Sequence, residues 1–352
     1  MTPEKNEMTV IGWDLGGAHL KAARAEQGRI VGTVQIACPL WQGLDKLDAA
    51  FAEADKALGA ASLHAVTMTG ELSDIFSNRA EGISRLCEAA SKRLAGRIRI
   101  YAGRDGWLDV EAAPGKTDSV ASANWHATAA LLARLRMDSL FVDMGSTTTD
   151  IIPVIDGRIS ARGYSDAERL ATGELVYTGA SRTFLMAVAR QVPFRGTPTP
   201  LMNEYFASMA DVHRIRGELP EDADLHPAAD SREKSSVASA ARLARMIGRD
   251  ADEAAAWEWR SLADFFAEAQ LQSIHNAALQ ALSACRLPDK APVIAVGAGR
   301  FVVEKLAQRL GRPCERWEKI VPAAPELGTK VSDCAPAAAV ALLLSYDQGS
   351  PP

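Results

Sequence analysis

Apolar and polar residues alternate with a period of two in three consecutive runs, Met8 to Trp13, His19 to Ala25 and Arg29 to Ala37, separated by glycine-bearing turns. That pattern predicts an antiparallel meander of three strands. Apolar residues then recur at 44, 47, 51, 54 and 58, which is one face of a helix. A strand over Leu63 to Met68, a helix over Glu81 to Leu94 and a strand over Arg97 to Ala102 complete a β-β-β-α-β-α-β unit. One helix from Ser119 to Arg136 bridges to a second half. This half restarts with Ser139 to Val142, turns through 144–147 and continues from Thr148 to Ile155. Asp156-Gly157 is a strong hairpin signal, because both central positions of a type I′ turn need positive φ. Pro153 lacks a ladder donor, so a bulge or a free edge is expected there.

Residues 191–234 are rich in Pro, Gly, Asp and Glu and read as an insert or subdomain. Helices are expected at Ser235 to Ile247 and, alanine-rich, at Ala254 to Leu282. A buried strand, Pro292 to Val296, runs into Gly297-Ala298-Gly299 and a helix from Arg300 to Leu310. The apolar stretch Ala335 to Leu344 reads as a last helix. The expected division is a first lobe over 1–118, a second over 119–190 and 285–352, and a mainly helical insert over 191–284. Residues 1–7 and 348–352 read as short tails.

Composition narrows the class. With 47% hydrophobic and 24% charged residues over 352 positions, the chain has the makings of an ordinary buried core. A net charge of −5 argues against nucleic acid, which usually leaves a basic footprint. No apolar run approaches the ~20 residues that span a bilayer, and the N-terminus lacks the regions of a signal peptide. The five cysteines, at 38, 87, 285, 314 and 334, form no Cys-x-x-Cys pair, so they read as small buried thiols of a cytoplasmic protein.

The chemistry is carried by a repeat. Asp14, Gly16 and Gly28 recur as Asp143, Gly145 and Gly157, each 129 residues later. A constant spacing across a loop, a strand and a second turn points to duplicated hairpins, expected to face one cleft as a phosphate clamp. Gly16, Gly17 and Gly145 let backbone N–H groups approach an anion. Ser146, Thr147, Thr148 and Thr149 add hydroxyl donors. Asp14 and Asp143 suit a hard cation such as Mg²⁺, and Lys21 can offset phosphate charge. A plain hairpin beside Asp14, and a Thr-rich strand after Asp143, remain the structural alternatives. Gly297 and Gly299 open a helix after a strand, a place for an anion or a flat ring, or for tight packing alone.

Asp-x-Gly-Gly near the start, Asp-x-Gly-Ser-Thr-Thr-Thr-Asp at 143–150 and the late Gly-x-Gly resemble the phosphate and adenosine motifs of the actin/hexokinase/Hsp70 superfamily. The resemblance implies an α/β fold with duplicated ribonuclease-H-like lobes around a central cleft. More closely, Thr69-Gly70-Glu71-Leu72, Ala123-Asn124-Trp125-His126-Ala127, Gly173 to Gly179 and Arg242 to Asp250 resemble the hydantoinase/oxoprolinase-like proteins of tetrahydromethanopterin-linked C1 transfer. Archaeal relatives of that family make the aminomethylfuran–tyramine ether of methanofuran.

The resemblance implies a transferase of small molecules, in which the phenol of tyramine or its γ-glutamyl form displaces diphosphate from an aminomethylfuran-methyl diphosphate. Mg²⁺ is expected and ATP is not required, since Ala18-His19 stand where a kinase of the superfamily commonly has a Thr. Asp150 and Glu174 are candidates for the base that takes the phenol proton, beside Asp143. The alternatives on the same scaffold are an ATP-dependent kinase, a hydantoinase/oxoprolinase-like hydrolase, or an actin-like switch without turnover. A homo-oligomer is compatible with the sequence.

Overall fold

Residues 9–349 are described in the computed structural model of the chain, so Met8, the N-terminal tail and the last three residues lie outside the described residues. Contacts divide the chain into two units. The first takes residues 9–138, Val154–Ile159 and 316–349 of the described chain, and the second takes Ser139–Pro153 and Ser160–Glu315.

In the first unit six strands, β1 (Thr9–Leu15), β2 (His19–Glu26), β3 (Arg29–Ala37), β4 (Leu63–Met68), β5 (Arg97–Tyr101) and β6 (Trp107–Leu108), form one sheet in the order β3-β2-β1-β4-β5-β6. β1 is antiparallel to β2 and parallel to β4. One face is covered by the helix Leu44–Leu58, whose buried residues Leu47, Phe51, Ala54 and Leu58 follow the predicted period. Phe51 meets Trp13 of β1 edge-on at 5.1 Å. The other face carries the helix Ala335–Asp347, buried all round from Ala335 to Ser345. Its alanines allow close approach, and Gly12 of β1 answers them: a Cβ there would strike the Ala337 carbonyl.

Two expectations are corrected here. The single helix from Ser119 to Arg136 is two helices, Thr117–Val120 and Asn124–Leu135. The break falls at Ser122, whose φ is +52°, and the buried Glu71 carboxylate accepts its N–H at 2.9 Å and its hydroxyl at 3.1 Å. The lobe boundary also moves. Residues 119–138 and the C-terminal helix group with the first sheet, because an all-round apolar helix has to be buried and the underside of β1 accepts it.

The second sheet contains β7 (Ser139–Met144), β8 (Thr149–Ile155), β9 (Arg158–Ile159) and β10 (Leu175–Val176). After β11 (Gln191–Phe194) and β12 (Thr197–Pro200), which form a separate hairpin, β13 (Val293–Val296) and β14 (Cys314–Arg316) complete it. The order is β10-β8-β7-β13-β14, with β9 also on β8. With the two short partners of β8 counted as one position, the second sheet repeats the first five positions of the first sheet: third, second, first, fourth, fifth. Pro153 sits in the gap between the two short partners of β8: β10 pairs with Thr149 and Asp150, β9 with Val154 and Ile155. The position is not a free edge: Ser160 N–H donates to the Pro153 carbonyl at 2.8 Å, and the hairpin lacks only the return bond for which proline has no donor.

The segment expected as an insert belongs to the same compact unit as the second sheet. Its helices Met209–Ile215, Ser236–Arg245 and Ala256–Ser283 pack with the β11–β12 hairpin around Phe194, Met209, Leu243, Trp259 and Phe266. The hairpin is a correction to the helical reading. Its prolines at 193, 198 and 200 masked a strand pair that turns at Arg195-Gly196, both with positive φ.

Candidate active site

Asp14 and Asp143 are each the penultimate residue of the first strand of their sheet. The turns that follow are closed by the same bond. Gly16 donates its N–H to the His19 carbonyl at 3.0 Å, and Gly145 to the Thr148 carbonyl at 3.0 Å. The next turns also match, with φ of 51° and 73° at Gln27-Gly28 and 51° and 66° at Asp156-Gly157. Beyond the parallel neighbour, Thr69 N–H reaches the Leu15 carbonyl at 3.0 Å and Gly299 N–H the Met144 carbonyl at 2.8 Å. The repeat seen in the sequence is a repeat of backbone structure.

In the first unit Asp14 is buried, 5% exposed, and Lys21 lies directly opposite it across the antiparallel pair. Directly opposed residues share a face of the sheet, and His19 shares it by alternation. Thr67 is the parallel partner of Asp14, and its fully buried hydroxyl has no hydrogen-bond partner. Gly16 and Gly17 are partly exposed at the turn. Cys334, at the start of the C-terminal helix, feels the charges of both Lys21 and Asp14. Burial pushes its thiol up to about 12, so it is no nucleophile at neutral pH.

In the second unit Gly145, Ser146, Thr147 and Thr148 are partly exposed and form a loop held from behind. Ala180 N–H donates to the Gly145 carbonyl at 2.9 Å, and Arg182 N–H to the Ser146 carbonyl at 2.8 Å. Gly179 lies flat against the Ser146–Thr147 peptide, where a Cβ would collide. The Gly179 segment is in turn held by Gln270 of the long helix, which donates to the Thr178 hydroxyl at 2.8 Å and the Gly179 carbonyl at 2.9 Å. None of Thr178, Gly179, Arg182 or Gln270 was assigned a role from the sequence. Thr178 and Gly179 lay in the stretch Gly173 to Gly179 that carries the family resemblance, and Gln270 on a helix gave no signal.

Several sequence assignments change. Thr149 is fully buried and donates its hydroxyl to the Thr178 carbonyl at 2.7 Å, so it braces the loop and does not face a ligand. Asp150 is ion-paired with Arg169, itself 2% exposed; burial pushes the Asp150 carboxyl up against the pull of that guanidinium. Glu174, 1% exposed, accepts from the N–H of Arg162 at 2.7 Å, the N–H of Gly163 at 2.8 Å and the Thr172 hydroxyl at 2.8 Å. Both carboxylates proposed as bases are therefore spent on structure. The Asp150 carboxylate holds a buried guanidinium, and that of Glu174 clasps the backbone at 162–163. Gly297 and Gly299 pack on β7: a side chain at Gly297, whose φ is +84°, would meet the Asp143 carboxylate, and one at Gly299 would meet Met144. Cys314 is exposed, unlike the buried cysteines expected. Ser235 caps its helix by accepting from Ala238 N–H at 3.1 Å.

The donors offered near each aspartate are oxygens: Thr67 beside Asp14, and the hydroxyls of 146–148 following Asp143. That chemistry suits Mg²⁺, which takes one or two carboxylates and fills the rest with water and phosphate. Among the described residues no group of three or more His, Cys, Asp or Glu is gathered, as a dedicated transition-metal cage would require. No helix among the described residues is long and apolar enough to cross a membrane.

The pattern of the hydantoinase/oxoprolinase family matches residues 62–335. The chain belongs to that family. It is 31% identical over 245 residues to a protein of Methanocaldococcus jannaschii, covering 69% of this chain and 73% of the relative. A second relative, from Methanococcus vannielii, is 34% identical over 119 residues, 34% of this chain and 53% of that protein. Both are named as synthases of a furan-2-yl-methanamine joined through a phenoxymethyl group to a gamma-L-glutamylaminoethyl chain. Among solved structures, nucleotide-free acetone carboxylase superposes with a TM-score of 0.56 at 10% identity, over 87% of this chain and 68% of that one. The family member therefore has the actin/hexokinase-type fold that its doubled sheet order indicates.

Proposed function

We propose that this hydantoinase/oxoprolinase family member is a transferase of methanofuran or methylofuran biosynthesis. It joins an aminomethylfuran-methyl diphosphate to the phenol of tyramine or (poly-)γ-glutamyltyramine and releases diphosphate. The observation that carries the reading is the braced Gly145–Thr148 loop, a preformed donor set for linked phosphates, in a chain whose relatives are named for a phenoxymethyl-furan product.

A furfuryl carbon bears developing positive charge well, so the bond to diphosphate breaks with the electron pair leaving on oxygen. The phenol oxygen supplies the pair for the new C–O bond, and its proton passes to the released diphosphate. Backbone N–H groups and hydroxyls at 146–148 stabilise the leaving group as its charge grows. Lys21 adds positive charge in the first unit. Asp14 in the first unit and Asp143 in the second are each a carboxylate that would hold Mg²⁺, an ion that would supply charge neutralisation at a diphosphate. The carboxylates of Asp150 and Glu174 are already engaged, so the reaction asks for an electrophile strong enough to dispense with a carboxylate base.

The competing reading is an ATP-dependent kinase or a ring-opening hydrolase, as the family's name suggests. Purified protein is given the furfuryl diphosphate and tyramine, with and without ATP. Diphosphate and the ether formed without ATP support the transferase. Substrate-dependent ADP in place of diphosphate supports the alternative and ends the proposal.

A further inference from the structure

Five large aromatic side chains stand exposed among the described residues, at Trp41, Tyr177, Phe184, Tyr205 and Trp257. Two of them, Tyr177 and Tyr205, act electrostatically on one cation, and a third, Phe184, lies two residues from it along the chain. Arg182, whose N–H holds the Ser146 carbonyl of the phosphate loop at 2.8 Å, has Tyr205, Tyr177 and Asp224 among the charges and titrating groups that act on its guanidinium. Phe184 and Tyr205 lie with ring centroids 4.3 Å apart at 40°, Phe184 44% exposed and Tyr205 39%. Neither ring sits on a loose loop. Met209 N–H reaches the Thr183 carbonyl at 2.8 Å, Ala210 N–H reaches the Ser181 carbonyl at 3.2 Å, and Phe184 bridges to Ser208. The segment 181–185 is thus zipped to 207–210, and the chain that braces the phosphate loop also presents the ring pair.

An aromatic pair left open to water beside a partly desolvated guanidinium is a poor surface and a good binding site. Flat rings gain from offset stacking on exposed aromatic faces. A cation in a low-dielectric setting attracts an anion more strongly than one in water. Both features suit a phenol that is to become an anion.

We propose that Phe184 and Tyr205 hold the aromatic ring of the acceptor, and that Arg182 binds its oxygen and favours the phenolate. This rests on the transferase reading and deepens it. It explains how a phenol of pKa about 10 reacts where Asp150 and Glu174 are both engaged: a cation lowers the cost of ionisation. The phenol O–H bond breaks with its proton passing to a diphosphate oxygen. The oxygen pair forms the bond to the furfuryl carbon as the bond to diphosphate breaks. Tyr205 keeps its own proton because burial, with Asp211 and Asp224 nearby, pushes its hydroxyl up against the opposing pull of Arg182 and Arg242.

The test uses 4-nitrophenol, whose anion absorbs visible light, titrated with intact protein from pH 5 to 9. Arg182→Met, Arg182→Lys and Phe184→Leu are the variants, each checked for wild-type unfolding temperature. The expected result is about tenfold more bound anion at a given pH than in free solution. It is kept by Arg182→Lys and lost in Arg182→Met, and binding weakens at least severalfold in Phe184→Leu. The KM for tyramine in diphosphate release rises in parallel. A solution-like titration with wild-type protein, or an unchanged tyramine KM in both Phe184→Leu and Arg182→Met, overturns the proposal. Arg182-dependent ionisation without diphosphate release from the furfuryl donor would leave this site standing and remove the transferase reading alone.

Discussion

Gln270 donates its side-chain amide to the Gly179 carbonyl at 2.9 Å, from a position 91 residues away on the long helix. Its orientation is fixed in turn by His213, whose Nε2 lies 3.1 Å from the Gln270 Oε1 and donates to it. Gln270→Leu leaves the His213 N–H unsatisfied in a buried place, and leaves the Gly179 carbonyl and the Thr178 hydroxyl with only the longer contacts of the Thr183 hydroxyl at 3.4 and 3.2 Å. Each such group costs about 1–3 kcal/mol. The variant should unfold at lower denaturant and exchange the amides of 178–183 faster, and under the transferase proposal diphosphate release should fall. Unchanged exchange in that segment would show that the loop is held by other means.

The pair Asp150–Arg169 gives a second prediction. Both side chains are largely buried. Removing one partner of such a pair strands a charge and costs about 3–5 kcal/mol, whereas replacing both can be close to neutral. Arg169→Met should therefore be strongly destabilised, and Asp150→Leu with Arg169→Met should recover much of the loss. Chemical denaturation of the four proteins of the cycle measures the coupling. Additive losses would mean that the pair is not coupled and that Asp150 is available for other work.

His64 makes the first unit sensitive to pH. Trp13 Nε1 donates to His64 Nδ1 at 3.1 Å, and His64 Nε2 faces the Ala95 carbonyl at 3.1 Å. The ring is therefore neutral, with its proton on Nε2. Burial holds its pKa below the ordinary value. A group whose folded pKa is depressed takes up its proton more readily when unfolded. Stability is then full above about pH 6.5, the unfolded value, and is lost as pH falls from there towards the folded pKa. His64→Gln should flatten that limb of the profile of unfolding temperature against pH. An equally steep limb in the variant would assign it to another group.

The legibility of the sequence was uneven for physical reasons. Five strands of the first sheet and the helix Leu44–Leu58 were read to within two residues, since half-buried strands and an amphipathic helix carry strong periods, whereas the two-residue β6 carries none and was missed. The duplicated hairpins were readable because Asp14/Asp143 and Gly28/Gly157 repeat at one spacing. The break at Ser122 was not, because Glu71, 51 residues away, holds it. The second-lobe placement of Ala335–Asp347 failed because a helix apolar on every side does not name its partner. At the site, the residue types were right and several directions were wrong. Thr149 and Asp150 alternate along β8, yet a one-residue period says nothing of whether Thr178 and Arg169 wait to engage them. Arg182 and Gln270 had no local signature at all.

Asp143 is where the site and the fold can be separated. Asparagine keeps the shape of the side chain and removes its charge, so Asp143→Asn should fold with an unfolding temperature close to wild type. Gly297→Ala approaches the same carboxylate from the outside. Its Cβ would meet Asp143 Oδ1, and its φ of +84° is one that L-residues rarely adopt. If the carboxylate helps carry the charge of a departing diphosphate, Asp143→Asn should slow release by about a hundredfold or more. Gly297→Ala should lose activity together with some stability. If Asp143 only packs under the helix Arg300–Arg309, the two variants would order the other way, with Gly297→Ala impaired and Asp143→Asn turning over at the wild-type rate. Diphosphate release measured beside thermal unfolding distinguishes the two, and the second ordering would remove Asp143 from the proposed chemistry.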